Sequence, residues 1–266
     1  MSSSTTEPGS TTGADGSTTS PGASSDASTS NADTTSSSSG LTEPTSADTT
    51  SHASSSTGSL AECGSPLLDA EDRLQLTASP MRGNPDALVT LVIWTGYADP
   101  FSAAVQSTLA ALADGPQGDE LRIVSKQMPL PFQDPRGQLA RAGLAADTLG
   151  SYWPFHDAMF AADEDLTPEA VDAIAVGVGL DLDAFHTAMR SPEVAARLAE
   201  DSALFTEVGA TGTPSSIING QLLVGAQPLD VFESVVGSQR DEMEALIDIG
   251  TPACVAFEQR LEAQLP

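Results

Sequence analysis

The chain has 266 residues and a formal net charge of −27 at pH 7, because 37 acidic side chains face only 10 basic ones. Nucleic acids and anionic membrane surfaces attract basic proteins, so this composition argues against both as partners and leaves a weak preference for basic ones. No stretch of the sequence approaches the roughly 20 apolar residues that a membrane-spanning helix needs.

Residues 1–60 form a low-complexity segment of Ser, Thr, Gly, Ala, Pro and acidic residues, without Lys or Arg. Such a segment cannot bury enough apolar surface to offset its ordering entropy, so a disordered tail or stalk is predicted. Residues 61–266 are then long enough for one domain with a substantial core. No signal-peptide pattern follows Met1. Because stalks of this kind often carry exported domains, we expect an extracytoplasmic location (periplasm or cell envelope), or a cytoplasmic one if Met1 is the true start.

A strand–helix–strand unit is the first confident feature of the domain. The apolar run Leu88–Trp94 is typical of a strand buried on both faces. Asp99-Pro100 then supplies a capping carboxylate and a proline for a helix start, which predicts an amphipathic helix over Pro100–Ala113. A second strand is predicted over Leu121–Gln127, which completes a βαβ unit.

A helical insertion, at about 134–208, is predicted next. Several of its helices, and one near the C-terminus, begin with a capping residue followed by proline: Asp134-Pro135, Thr167-Pro168, Ser191-Pro192 and Thr251-Pro252. The predicted helices of the insertion are Asp134–Leu149, Tyr152–Ala161, Thr167–Gly177, Leu182–Met189 and Pro192–Glu207.

A β-hairpin and two helices are predicted to complete the domain. Ser215–Ile218 and Leu222–Val224 flank Asn219-Gly220, a pair that favours a type I′ turn. The helices are predicted from Pro228 to about Ile249 and from Thr251 to Leu265. The order is therefore βαβ, helical insertion, ββα, an α/β arrangement.

This order, together with several separate motifs, resembles the DsbA-like branch of the thioredoxin superfamily over roughly Met81 to Val236. The resemblance implies a thioredoxin fold with a DsbA-type helical insertion. The motifs that carry it are Gly83-Asn84-Pro85-Asp86, Val89–Trp94, Tyr97, Pro100-Phe101, Lys126–Pro131, Trp153 with His156-Asp157, Gly212-Thr213-Pro214, Asn219-Gly220 and Gly225–Pro228.

The catalytic motif departs from the family. Where it has Cys-Pro-Phe-Cys or a similar sequence, this chain has Asp99-Pro100-Phe101-Ser102. Disulfide exchange needs a thiolate, which a helix N-terminus stabilises, and a second thiol that resolves the mixed disulfide. A carboxylate suits the helix end but cannot exchange disulfides, and serine is a poor nucleophile without a base. Ile93 and Gly96 also stand where the family often has acidic residues. We therefore predict a vestigial motif in which Asp99 caps the helix.

Thr213-Pro214 matches the cis-proline segment of the family. There, the residue before the proline pairs with extended substrate segments by strand addition. The resemblance thus implies an extended peptide or protein segment as a partner at a Thr213-Pro214 groove. The alternative is that the proline remains because the fold needs it.

The two cysteines, Cys63 and Cys254, lie at opposite ends of the predicted domain. One interpretation is a structural disulfide that ties the N-terminal segment to the C-terminal helices, in an oxidising compartment. The alternative is a relocated redox pair, since Cys254 falls in the first turn of the Thr251 helix, where a thiolate is favoured.

Non-catalytic peptide or protein binding, or a structural role in the cell envelope, is therefore the leading functional hypothesis. A thiol–disulfide oxidoreductase that uses Cys63 and Cys254 is the first alternative. A glutathione-dependent transferase or isomerase is the second, because Pro100-Phe101-Ser102 faintly resembles a Ser-Pro-Tyr-Ser motif, although Asp99 would repel the glutathione thiolate. The histidines His52, His156 and His186 form no ligand cluster, and His156 is expected to pack within a helix. We expect no metal, no cofactor and a monomer.

Overall fold

A five-stranded sheet organises the part of the chain that the computed structural model describes, which comprises residues 73–134, 136–162 and 166–266. The strand order is β1-β3-β2-β4-β5. Strands β2 and β3 are parallel, and the other neighbours are antiparallel. The strands are β1 (Met81–Gly83), β2 (Val89–Thr95), β3 (Leu121–Gln127), β4 (Ser215–Ile218) and β5 (Gln221–Val224).

Eight α-helices and a short 3₁₀-helix, Gly118–Glu120, connect and cover these strands within the described residues. Four of the helices, α2 to α5, pack together as the body of the helical insertion. The helices are α1 (Pro100–Asp114), α2 (Gln138–Thr148), α3 (Tyr152–Ala161), α4 (Pro168–Gly177), α5 (Leu182–Met189), α6 (Pro192–Glu207), α7 (Leu229–Asp248) and α8 (Ala253–Gln264).

The central strands are buried because helices cover both faces of the sheet. Every residue of β2, β3 and β4 is buried. On one face, Leu91 and its neighbours pack against α1 and α7, for instance against Leu109 and Phe232. On the other face, Trp94 packs with Phe205 of α6 and Phe257 of α8. This two-sided burial explains why β2 is a continuous apolar run rather than an alternating one.

The observed element order confirms the predicted α/β thioredoxin fold with its insertion. The bounds of β3, α3, α5 and α6 are as predicted, and β2 is shifted by one residue. The short strand β1 lies before the first element that the sequence predicts. Residues 1–60 lie outside the described residues, so the predicted tail stays a prediction.

Two helix starts were wrong. The helix predicted from Asp134 begins at Gln138, after Gly137 in a left-handed conformation, yet the Asp134 carboxylate still accepts from the amides of Gln138, Leu139 and Ala140 (2.7, 3.0 and 3.2 Å). The side chain therefore reaches the helix end from four residues upstream. The helix predicted from Thr251 begins at Ala253 without a side-chain cap. Thr167 and Ser191 are N-caps as predicted.

The β4–β5 hairpin has the predicted turn. Asn219 and Gly220 both have positive φ angles, 44° and 94°, as a type I′ turn requires. A Cβ at position 220 would lie 2.9 Å from the carbonyl oxygen of Arg260, so helix α8 also demands glycine there. The Asn219 side chain bonds the amide of Thr90 and the carbonyl of Leu88, which fixes the turn against β2.

Candidate functional site

The motif Asp99-Pro100-Phe101-Ser102 lies where the loop after β2 enters helix α1. Asp99 has an extended backbone conformation and is the N-cap of α1, with Pro100 as the first helical residue. This confirms the predicted capping role, and its basis is local because a carboxylate satisfies the free amides at a helix N-terminus.

The Asp99 carboxylate is 2% exposed, and every donor that contacts it is uncharged. It accepts from the amides of Phe101 (3.2 Å) and Ser102 (3.1 Å), and from the side-chain amide of Gln133 at 3.4 Å. Two hydroxyls complete the shell, from Ser102 at 2.7 Å and Thr213 at 2.8 Å. Among the residues that the structure describes, the carboxylate is therefore held by a helix end, two hydroxyls and the Gln133 amide, and no cationic side chain contacts it.

Ser102 is fully buried, and its hydroxyl links the Asp99 carboxylate to the backbone of Gly96. Its hydroxyl donates to Asp99 and accepts from the amide of Gly96 at 3.2 Å. Because both its donor and an acceptor lone pair are engaged, and no solvent reaches it, Ser102 has neither the exposure nor a free base that a nucleophile needs.

Thr213 connects the motif to the segment before β4. The Thr213–Pro214 peptide bond is cis, and the Pro214 carbonyl accepts from the amide of Gly225 at 2.7 Å. Within the described residues, the amide and carbonyl of Thr213 make no backbone hydrogen bond. The structure thus brings all the predicted motif and groove residues from Asp99 to Ser102 and Thr213-Pro214 to one end of the sheet.

A cleft of about 490 Å³ lies beside Asp99, with Tyr97, Phe160 and Leu166 among its wall residues. Two aromatic side chains near it are strongly exposed, Phe101 at 64% and Phe132 at 78%.

An aromatic cluster forms the wall of the cleft towards the insertion. Tyr97 packs against His156 and Phe160, with ring centroids 5.9 and 5.0 Å apart. Helix α2 can approach Tyr97 because residue 143 is glycine, where a Cβ would lie 2.7 Å from Tyr97 Oη. Burial raises the pKa of Tyr97 and lowers the pKa of His156, so burial favours the uncharged form of both side chains. The predicted packing role of His156 is confirmed.

A buried ion pair beneath the motif was missed by the sequence analysis. Lys126 Nζ lies 3.1 Å from Asp201 Oδ1 and donates to Ser79 Oγ at 2.8 Å. Asp201 also accepts from the amide of Gln127 at 2.9 Å, and its carbonyl accepts from the Trp94 indole at 3.0 Å. The available signal was Lys126 itself, since a lysine inside an apolar strand requires a partner.

Cys254 is not among the residues that line the cleft beside Asp99. Cys254 is fully buried in α8 and is disulfide-bonded. Cys63 lies outside the described residues, so the Cys63–Cys254 pairing stays a prediction. The described residues contain no group of three or more His, Cys, Asp or Glu side chains that could hold a metal ion. Among the same residues, no helix has the length and apolar character to cross a bilayer.

The family follows from comparison with known proteins. The model of the DSBA-like thioredoxin domain matches residues 90–237, which include the motif, the insertion and the hairpin. The chain therefore belongs to the DSBA-like thioredoxin domain family, whose fold the sequence resemblance implied.

Solved structures agree with this fold. A thioredoxin-like oxidoreductase from Silicibacter pomeroyi DSS-3 is 29% identical with a TM-score of 0.60, and the match covers 64% of this chain and 97% of that one. The thiol-disulfide exchange protein alpha-DsbA2 from Wolbachia pipientis is 21% identical with a TM-score of 0.58, covering 65% and 93%. A periplasmic thioredoxin-like protein from Salmonella enterica serovar Typhimurium is 22% identical with a TM-score of 0.53, covering 67% and 98%.

The curated proteins with similar sequences are longer than this chain and are named as antiporters. The Na(+)/H(+) antiporter NhaA from Herminiimonas arsenicoxydans is 30% identical over 161 residues, which is 60% of this chain but 25% of the antiporter. NhaA 1 from Salinispora arenicola (strain CNS-205) is 28% identical over 159 residues, or 59% and 24%. The chain thus spans about a quarter of the length of these relatives, and ion exchange is not carried over to it.

Proposed function

We propose that this domain performs no dithiol–disulfide exchange at its motif and instead binds an extended peptide or protein segment beside Thr213-Pro214. The hydrogen bond from Thr213 Oγ1 to Asp99 Oδ2 (2.8 Å) carries the proposal. Asp99 and Ser102 stand where the family has its two cysteines. Both are linked to Thr213 by hydrogen bonds between oxygen atoms, and neither carries sulfur. Exchange requires sulfur at both positions, because the mixed disulfide forms on one and is resolved by the other.

The Thr213-Pro214 segment has the backbone groups that strand addition uses. The backbone amide and carbonyl of Thr213 make no backbone hydrogen bond within the described residues, and both can pair with an extended segment. Phe101 offers an exposed apolar contact at the adjacent helix end. Main-chain pairing would supply affinity, and apolar contact would supply selectivity.

The binding test begins with the full chain and an unbiased library of 12-residue peptides. A selected peptide, titrated into ¹⁵N-labelled protein, should shift the amide resonances of Gly212, Thr213 and Phe101. Replacing Phe101 with Ser should weaken its binding about five-fold, the loss expected from one apolar contact of roughly 1 kcal/mol. Ile249→Ser is the matched control, because Ile249 is also exposed but follows helix α7. Shifts that map elsewhere, or equal effects of the two substitutions, would contradict the proposal.

The first alternative, redox chemistry at Cys63 and Cys254, is disfavoured by the burial of Cys254, which is 0% exposed. A disulfide sulfur that a thiolate cannot reach does not exchange. The wild-type chain should therefore reduce insulin disulfides no faster than dithiothreitol alone. Catalysis that disappears in Cys254→Ser would establish this alternative.

The second alternative, a glutathione-dependent enzyme, is disfavoured by Asp99. Its carboxylate occupies the position where the thiol of glutathione would be activated, and like charges repel there. The chain should not be retained on immobilised glutathione, and retention would revive this hypothesis.

We place the module outside the cytoplasm, as a monomer of the periplasm or cell envelope. The disulfide-bonded state of Cys254 supports this location, because disulfides persist in oxidising compartments. An alkylating reagent added at cell lysis should leave both cysteines unmodified, because disulfide-bonded cysteines have no free thiol. Light scattering should give the mass of one chain, 27.2 kDa. Full alkylation would contradict the location.

A further inference from the structure

Three buried oxygen atoms beneath the motif loop have no hydrogen-bond partner in the part of the chain that the structure describes. They are Thr95 Oγ1 at the end of β2, Tyr97 Oη in the loop that follows, and Gln127 Oε1 at the end of β3. Each of the three residues is more than nine-tenths buried. Buried polar groups in folded proteins are nearly always hydrogen-bonded, because a group without a partner loses its hydration and gains nothing in return.

The three side chains come from neighbouring positions. Thr95 and Gln127 are partners in the register of the parallel β2–β3 pair, so their side chains project from the same face of the sheet. Gln127 Nε2 donates to Tyr152 Oη at 2.9 Å, which places the other end of the same amide close to helix α3. Tyr97 interacts electrostatically with both Tyr152 and Gln127. The three atoms therefore lie together, where the ends of β2 and β3 meet α3.

The neighbouring hydroxyl of Tyr152 does not satisfy them. It is already bonded to Ser125 Oγ at 2.6 Å and to the Gln127 amide group. Tyr97 Oη faces it without a hydrogen bond of ordinary geometry. The three atoms belong to two hydroxyls, which both donate and accept, and one amide oxygen, which only accepts. This set suits a small neutral molecule that donates and accepts, whereas an ion would need a countercharge that these groups lack.

We propose that Thr95 Oγ1, Tyr97 Oη and Gln127 Oε1 together bind one buried water molecule. Internal waters typically make about three hydrogen bonds to buried polar groups that otherwise lack partners. The water donates to the Gln127 oxygen and bonds to the two hydroxyls. It joins the loop that carries Asp99 to β3 and, through Gln127 and Tyr152, to the helical insertion. This site does not depend on the function proposed for the groove.

The direction of a stability change tests the proposal. Thr95→Val keeps the shape of the side chain but removes its hydroxyl. If the hydroxyl binds water, the variant loses a hydrogen bond and its urea midpoint falls. If the hydroxyl has no partner at all, its removal relieves a buried unsatisfied group and the midpoint rises. Tyr97→Phe makes the same comparison. Thr148→Val is the control, because the Thr148 hydroxyl donates to the Leu144 carbonyl of its own helix, and its midpoint should stay near that of the wild type.

A count of internal waters tests the ligand directly. The ¹⁷O magnetic relaxation dispersion of water reports long-lived internal water molecules and is insensitive to exchange of hydroxyl protons. Measured on the full chain, its amplitude should drop by the equivalent of one molecule in Thr95→Val and in Tyr97→Phe, but not in Thr148→Val. The double variant of Thr95 and Tyr97 should lose no more than either single variant, because both residues bind the same molecule.

Two outcomes would overturn the proposal. The first is an unchanged dispersion amplitude together with raised urea midpoints in Thr95→Val and Tyr97→Phe, because the hydroxyls would then be unsatisfied in the folded protein. The second is an amplitude that drops in only one of the two variants, or drops further in the double variant, because the two hydroxyls would then share no water molecule.

Discussion

Two buried aspartates, Asp99 and Asp201, hold their carboxylates in the interior by different means. Asp99 relies on uncharged donors at the N-terminus of α1, together with two hydroxyls. Asp201 relies on the ammonium group of Lys126 and one backbone amide. Burial raises the pKa of Asp201 and lowers the pKa of Lys126, and each partner opposes the shift of the other.

The comparison shows which group each carboxylate needs. Several partial charges surround Asp99, so the loss of one donor leaves the others in place. Asp201 depends on one full charge, whose removal leaves an ion in a medium that solvates it poorly. Loss of one partner should therefore destabilise the fold more at the Lys126–Asp201 ion pair than at Asp99, although the ion pair is not part of the proposed binding site.

Removal of the ammonium group should have the largest effect. Lys126→Met keeps most of the side-chain volume but leaves Asp201 buried without its counter-ion, so we expect a loss of about 3–5 kcal/mol in the free energy of unfolding. Urea denaturation at pH 7 measures it. The loss should shrink at pH 5, because a protonated Asp201 no longer needs a cation.

The double variant Lys126→Met with Asp201→Asn tests the cause. It removes both charges and keeps an oxygen for the amide of Gln127, so it should be clearly more stable than Lys126→Met alone. If the double variant is no better, the loss comes from packing around residue 126 and not from an unpaired carboxylate.

Loss of the Asp99 carboxylate should have an intermediate effect. Asp99→Ala leaves two helix amides and the hydroxyls of Ser102 and Thr213 without their acceptor, and a loss of about 2–3 kcal/mol is expected. Asp181→Ala is the matched control, since Asp181 is an exposed N-cap with one amide at 2.9 Å, and it should cost about 1 kcal/mol. Equal costs in urea denaturation would mean that the hydroxyl contacts of Asp99 contribute nothing.

The same contrast explains how much the sequence could predict. The amides that the Asp99 carboxylate caps belong to Phe101 and Ser102, within three residues, so a local pattern of Asp followed by Pro was sufficient. The partner of Lys126 is 75 residues away on α6. Helix α6 itself was predicted with its bounds, but nothing in its pattern marked Asp201 as the residue that turns inward.

In the candidate site, too, features carried by short local motifs were predicted from the sequence, and contacts between distant residues were not. The motif and Thr213-Pro214 were found because each is a short motif with a known position in the family. The contact between Asp99 and Thr213, which joins residues 114 positions apart, needed the structure. A cavity of about 640 Å³ between helices α2, α4 and α5 was also missed, because its wall comes from three helices whose sequences show only ordinary amphipathic faces.

The smallest predicted effect concerns the buried imidazole of His156 and the change in protein stability with pH. Burial lowers the pKa of His156 from its usual 6.5, although the neighbouring Asp157 at 3.1 Å opposes this shift. Between the folded and unfolded pKa values, the unfolded state binds more protons, so stability falls as the pH drops below about 6.5, by at most about 1.4 kcal/mol per pH unit.

Between pH 7.5 and 5.5, the wild type should lose about 1 kcal/mol more than His156→Phe, which keeps the aromatic packing. The lowered pKa of Asp157 acts below this window, since it begins from 3.8. If His156→Phe also keeps the wild-type pH dependence in urea titrations, His156 takes up its proton in the folded protein as readily as in the unfolded chain. The aromatic cluster would then tolerate a buried charge, unlike the surroundings of Asp201 once Lys126 is removed.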